Sequence, residues 1–323
     1  MLDRYFGEAI PNARETVPAG LSGRFPRQSH GLPRTNRAGR PMTTAFVLSG
    51  GGNLGAMQAG SVLALYEAGI EPDLLVGTSV GAMNAAFLAT RPGLEGARAL
   101  QEAWLALRRE EAVQLNPLRA FMGFFGLRNH LVSAAQLRRL FAKWIPITRF
   151  EEAAVPFAAV ATDALSGEPV VLSKGEIGDA LAASSAIPGI FPPVRVQGRW
   201  LIDGSLSSNQ PVLEAQDLGA DEIYLITTAT AARISPPKGA VAIAMNSVSL
   251  LTTQAARLQL EEARRRAEQT GGHVLIVPSA EPSAPGRFDY RRSAELCERA
   301  YRRTQGWLSD LAAQEATSSP RCE

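Results

Sequence analysis

The chain has 323 residues, 46% of them apolar and 20% charged, with a formal net charge of +2. That length and apolar content suffice for one full α/β core with elaborations, and near-neutral charge with scattered arginines excludes the basic, aromatic-lined footprint of a nucleic-acid binder. Two cysteines, Cys297 and Cys322, make no disulfide framework, and the sequence has no zinc or EF-hand spacing, so a reducing, cytoplasmic setting with no metal or other cofactor is expected.

Residues 1–41 are rich in Arg, Pro, Gly and Ser and hold no apolar run able to serve as a signal-peptide core or membrane span. They read as a disordered leader, with Met42 standing just before the first strand and an upstream start as one explanation. A basic arm for membrane or partner is the weaker reading, because prolines and acidic residues interrupt any amphipathic helix.

The first predicted strand, Ala45–Leu48, runs into Gly50-Gly51-Gly52-Asn53-Leu54-Gly55, and a helix over Ala56–Ala68 follows, closed by Gly69. Consecutive glycines let main-chain N–H groups converge on an anion, either a phosphate or the oxyanion of acyl transfer. The spacing Gly50-x-Gly52-x-x-Gly55 also fits a dinucleotide fingerprint, but the second strand, Asp73–Val76, ends in Gly77-Thr78-Ser79 where that fold needs an acidic residue. No Gly-Lys-Ser/Thr follows the loop, which removes a P-loop. Gly77-Thr78-Ser79-Val80-Gly81 reads as a nucleophile elbow between that strand and a helix over Ala82–Ala89. Glycines two residues either side of Ser79 allow the close approach of chain that such a turn requires, and the helix N-terminus adds N–H donors and positive dipole.

A helical insert spans residues 92–146, and its Phe121, Met122, Phe124 and Phe125 suit either an apolar lip for acyl chains or the core of a cap. Strands over Phe157–Ala161 and Val170–Leu172 flank Leu165-Ser166-Gly167-Glu168 as a hairpin, which makes the sheet mixed. Further strands are expected at Trp200–Ile202, Glu222–Thr227 and His273–Val277. Arg264-Arg265-Arg266 after Glu261-Glu262 reads as a salt-bridged helix face, and Cys297 as a buried thiol. The whole predicts a three-layer α/β/α sandwich around a largely parallel, mixed sheet.

Ser79 needs a base. His30 sits in the leader and His130 in the apolar insert, which leaves two candidates. His273 opens a strand, whereas a hydrolase histidine belongs on a loop beyond a late strand. Asp203 ends the strand Trp200–Ile202 and is followed by Gly204 and Ser205, so its carboxylate can meet the serine directly, although an Asp-Gly turn without chemistry has the same signature.

Together the glycine loop, the elbow and the Asp-Gly motif resemble the patatin-like phospholipase family, over about Thr43 to Leu311. Ala183–Val194 is similar to the family's proline-rich segment beside the active site, and Asp289 through Leu308 to its closing helix. The resemblance implies a patatin-like fold in a hydrolase domain over 42–313, followed by a flexible tail over 314–323. It implies Ser79 as nucleophile, Asp203 as base, and backbone amides of Gly51, Gly52 and Asn53 as oxyanion donors. The implied substrate is a lipid or acyl ester, with peripheral membrane contact left open. Leu54 stands where the family often has Lys or Arg, so no fixed positive charge is expected there, and Ser205 replaces the family's Gly or Ala. The alternatives are a Ser79/Asp203/His273 esterase or thioesterase on soluble esters and a non-catalytic lipid-binding scaffold.

Overall fold

The computed structural model describes residues 35–106, 134–228, 239–278 and 292–318. Residues 1–34, His30 and His130, the Phe121–Phe125 stretch, Asp289 and Cys322 lie outside them.

Eight strands among the described residues form one mixed sheet. Its order is β5 (Val194–Val196), β6 (Arg199–Asp203), β3 (Phe157–Asp163), β2 (Leu74–Thr78), β1 (Thr44–Leu48), β7 (Glu222–Ile226) and β8 (His273–Val277), while β4 (Pro169–Leu172) pairs with β3. β3, β2, β1, β7 and β8 run parallel, whereas β4 and β6 both run antiparallel to β3. The β3–β4 turn carries the expected Gly167 at φ 78°. Strand alternation sorts the core into two layers. Phe46, Leu48, Leu75, Ala159 and Ala161 face one side, and Ala45, Val47, Leu74, Val76, Ala158 and Val160 the other.

The first side is covered by α1 (Gly55–Glu67), α2 (Val80–Thr90), α3 (Gly93–Ala106), α4 (Ala134–Trp144) and α5 (Ile177–Ser184). The other side receives α6 (Val212–Asp217) and α7 (Ala240–Thr270), through Val212, Ala215 and Ala263. α8 (Ser293–Ser318) packs on α1, outside the sheet, and Thr304 Oγ1 donates to Ser61 Oγ between them at 3.0 Å. The chain is thus the three-layer α/β/α sandwich that its alternating pattern predicts.

Two features were not predicted. β5 is a three-residue edge strand directly after a proline pair, too short for its alternation to be read. Residues 35–41, assigned from composition to the leader, form a turn tied to the domain. Asn36 Nδ2 donates to Asp221 Oδ1 at 3.0 Å and the Arg37 N–H to Thr270 O at 3.2 Å. The Asn36 side chain also accepts from Ala38 and Arg40 N–H, an Asx-type turn whose polar residues look like linker in composition.

α1 and α8 approach closely because Gly60 lies against the Cys297 backbone, where a Cβ would run into the Cys297 carbonyl. Gly60→Val should therefore force the helices apart and cost about 1–3 kcal/mol, read as a melting temperature lowered by several degrees. An unchanged melting temperature would show that this contact does not close the core.

Candidate active site

The end of β2 delivers Ser79 at φ 54° and ψ −120°, and α2 begins at the next residue. A residue with a Cβ is uncommon at positive φ, and holding it there costs of order 1–3 kcal/mol. Two glycines make room for the turn. A Cβ on Gly77 would strike the Gly81 carbonyl, and one on Gly81 the Leu48 carbonyl of β1. Ser184 at the end of α5 then fixes it, its Oγ accepting from the Ser79 N–H at 2.9 Å and donating to Val160 O at 2.6 Å.

Asp203 arrives from the opposite direction. β6 is antiparallel to β3, with Asp203 opposite Ala161, and β2 is parallel to β3, with Thr78 opposite Val160. The two strands thus end level with each other on either side of β3. Ser79 Oγ donates to Asp203 Oδ2 at 2.8 Å, and both residues are buried, 7% and 3% exposed. The Asp203 Oδ1 atom accepts from Ser205 N–H at 2.8 Å and Ser205 Oγ at 2.6 Å. Thr162 Oγ1 donates to the Asp203 carbonyl at 2.9 Å. Burial pushes the Asp203 carboxyl above its usual range, against the opposing pull of the Ser205 and Ser79 hydrogen bonds.

The glycine loop lies against this pair. Gly50 donates its N–H to Asn209 O at 3.1 Å, and its carbonyl accepts from Thr228 Oγ1 at 2.5 Å. A Cβ on Gly50 would sit 3.5 Å from Ser79 Cβ, which sets the loop beside the serine. Gly52 has φ 61° and opens a single 3-10 turn over Gly52–Leu54, with Asn53 buried, before Gly55 starts α1. The N–H groups of Gly51 and Gly52 have no acceptor among the described residues. Adjacent donors in a loop that passes the serine at Gly50 suit a developing oxyanion. Leu54 packs against the hydrophobic core.

His273 stands apart. It pairs with Glu222, which pairs with Thr44, so it lies at the opening end of the parallel strands while Ser79 follows the closing end of β2. Five strand residues separate those edges by roughly 17 Å, and His273 is exposed.

A buried polar chain that the sequence reading assigned no role braces the loop from behind. Trp104 Nε1 donates to Asn84 Oδ1 at 3.0 Å, Asn84 Nδ2 to Gln58 Oε1 at 2.8 Å, and Gln58 Nε2 to the carbonyls of Ser49 and Ile226. The signal was present, since Asn84 is a lone amide within the apolar run Ala82–Ala89. Ser184, Asn209 and Thr228 were missed because their partners are distant in sequence. On the far side, Ser208 Oγ donates to buried Glu214 at 2.9 Å and the Ser208 carbonyl accepts from Thr78 Oγ1 at 2.8 Å. Burial raises the Glu214 carboxyl.

Residues 46–215 match the patatin-like phospholipase family. The chain belongs to that family. Relatives include an uncharacterized NTE family protein of Mycobacterium tuberculosis, 29% identical over 58% of this chain and 30% of its own length. Another from the same organism is 31% identical over 55% of this chain and 46% of its own. The lysophospholipase NTE1 of Phaeosphaeria nodorum is 24% identical over 84% of this chain and 19% of its own. The patatin-like chain thus spans 19% to 46% of the length of these relatives. Among solved structures, VipD from Legionella pneumophila covers 86% of this chain, and 69% of itself, at 16% identity and a TM-score of 0.43. That likeness is too distant to bear on the site.

Removing the central amide of the brace tests its role. Asn84→Ala takes a partner from both Trp104 and Gln58 in a dry setting, and should lower stability by about 2–4 kcal/mol in chemical denaturation. A loss below half a kcal/mol, which is roughly the effect of an ordinary surface change, would mean that the chain of amides braces nothing.

Proposed function

We propose that this patatin-like protein is a serine lipid acyl hydrolase that cleaves carboxylic ester bonds through a Ser79/Asp203 dyad and a covalent acyl-enzyme. The observation that carries the reading is the buried 2.8 Å hydrogen bond from Ser79 Oγ to Asp203 Oδ2, made beside the glycine loop. Asp203 takes the Ser79 proton as Oγ attacks the ester carbonyl. The amides of Gly51, Gly52 and Asn53 hold the oxyanion, and the carboxyl returns the proton to the leaving alcohol. Water then attacks the acyl-enzyme by the same steps in reverse roles. The remoteness of His273 favours this dyad over a Ser/Asp/His triad.

A raised Asp203 suits the task, since a base works best with its pKa near the working pH. Activity needs the carboxylate and is lost as pH falls through its value. The acid limb of kcat/KM should accordingly lie above the ordinary aspartate value of 3.8.

A lipid-surface contact is the second part of the proposal. Gln259 of α7 donates to Ser207 O at 2.8 Å, beside the Asp203 turn, and Ile243, Val248, Leu250, Leu251 and Leu258 are exposed on the turns before it. No Asp, Glu, Lys or Arg occurs from Ala240 to Ala256. α7 enters from the closing end of β7, and its 31 residues span roughly 46 Å against roughly 17 Å for a five-residue strand. Its uncharged turns therefore project past the sheet edge that carries Ser79. No described helix is long and apolar enough to cross a membrane, so the fitting contact is peripheral.

Ser79→Ala should abolish ester hydrolysis and fluorophosphonate labelling without altering the fold. Asp203→Asn should lower kcat/KM by at least about a thousandfold, while His273→Ala keeps most of the activity. Labelling at another serine, or a comparable loss in His273→Ala, would overturn the dyad. Leu250→Asp combined with Leu251→Asp should abolish cosedimentation with phosphatidylcholine vesicles and leave cleavage of a short soluble ester in place. Retained vesicle binding would remove α7 from the contact.

A further inference from the structure

Asp203 receives three hydrogen bonds on two oxygens, and their division is uneven. Oδ1 takes both the Ser205 N–H, at 2.8 Å, and the Ser205 hydroxyl, at 2.6 Å, which leaves Oδ2 for Ser79 at 2.8 Å. The N–H contact comes with the backbone turn Gly204–Leu206, which Asp203 caps, and any residue but proline at 205 would make it. The hydroxyl contact is particular to serine. A glycine or alanine there would leave Oδ1 with the amide alone.

The Ser205 hydroxyl also lies against the glycine loop. A Cβ built on Gly50 would lie 2.6 Å from Ser205 Oγ and 2.6 Å from Asn209 Oδ1, so the glycine loop closes over the hydroxyl. The groups bonded to Asp203 are hydroxyls and backbone: Ser79 from the elbow and Ser205 at the carboxylate, and Thr162 of β3 and the Ala186 carbonyl at its main chain. The charged groups on neighbouring elements are engaged elsewhere. Asp163 of β3 pairs with Arg199 of β6 at 2.7 Å, and Glu214 of α6 holds Ser208. Among the described residues no formal charge therefore offsets the burial of this carboxylate, and each hydroxyl donor carries more weight than it would beside a cation.

We propose that Ser205 is a positioning residue for the base: its hydroxyl occupies Oδ1, keeps the Asp203 carboxylate ionised in its dry site, and fixes the rotamer that aims Oδ2 at Ser79. Removing the hydroxyl strips a donor from the charged form only, so Asp203 gains protons more readily and the catalytically competent form is lost at a higher pH. The inference rests on the assignment of Asp203 as base.

The test is the pH dependence of kcat/KM on a short soluble ester for the full chain, in wild type, Ser205→Ala, Ser205→Gly and Ser205→Thr. The acid limb should move up by about one pH unit in Ser205→Ala and in Ser205→Gly, and return to the wild-type position in Ser205→Thr, which keeps a hydroxyl. An unmoved limb in both hydroxyl-free variants overturns the proposal, including where the plateau rate falls, since a merely structural role lowers the rate without moving the limb. Failure of Ser205→Thr to restore the limb overturns it as well. Asp203→Asn, assayed alongside, separates the two levels. If it stays active, the dyad itself is wrong. If it is dead while the Ser205 limbs stay put, only the role of Ser205 fails.

Discussion

The buried hydrogen bond between Ser79 and Asp203 depends on the register in which β2 and β6 pair with β3. β2 runs with β3 and β6 runs against it, so both end level with the middle of β3 and present their last side chains toward each other. The register of β6 on β3, within the antiparallel pairings of β4, β5 and β6 at one side of the sheet, sets Asp203 level with Ser79 in a fold otherwise built from parallel crossovers.

A strained serine and an uncompensated carboxylate both need support, and hydroxyls and amides supply it. Ser184 holds the elbow N–H, Thr162 holds the Asp203 carbonyl, and Thr228 and Asn209 hold the two ends of the Gly50 peptide unit. Behind them, Asn84 and Gln58 link α2 and α1 to the Ser49 carbonyl, which precedes the glycine loop, and to the Ile226 carbonyl of β7. Ser184, Thr162, Thr228, Asn84 and Gln58 are buried, so each unmet bond of theirs would carry the full desolvation penalty of its partner. Neutral donors steady the site without adding charge that would pull the proposed base down to the ordinary carboxylate range.

Much of this was legible from the chain because its signals are local. The strand, loop and helix around Gly50–Gly55 and the elbow around Ser79 are continuous segments whose glycines report close backbone approach, and short apolar runs mark the central strands to within two residues at either end. β5 escaped because three residues carry too little pattern. Residues 35–41 read as leader because an Asx-type turn and a linker share a composition, and only the position of Asp221, far along the chain, distinguishes them.

The base shows the division most clearly. Local pattern identified Asp203 and His273 as candidates, and family resemblance preferred the first, but residue order cannot say which of two strand-bound groups lies at the serine's edge of the sheet. Register and direction do, and they put His273 at the opposite edge. Ser205 carries the same lesson on a smaller scale. As a letter it is a small departure from Gly or Ala, and its hydroxyl acquires meaning only where a cap turn, a buried carboxylate and a glycine loop close around it. Sequence specifies residue types and local backbone, which propensity and sterics fix within a few positions. Contacts between residues more than a hundred positions apart, such as those of Ser79 with Ser184 and Asp203, depend on how the strands pair, and pairing is a property of the whole core.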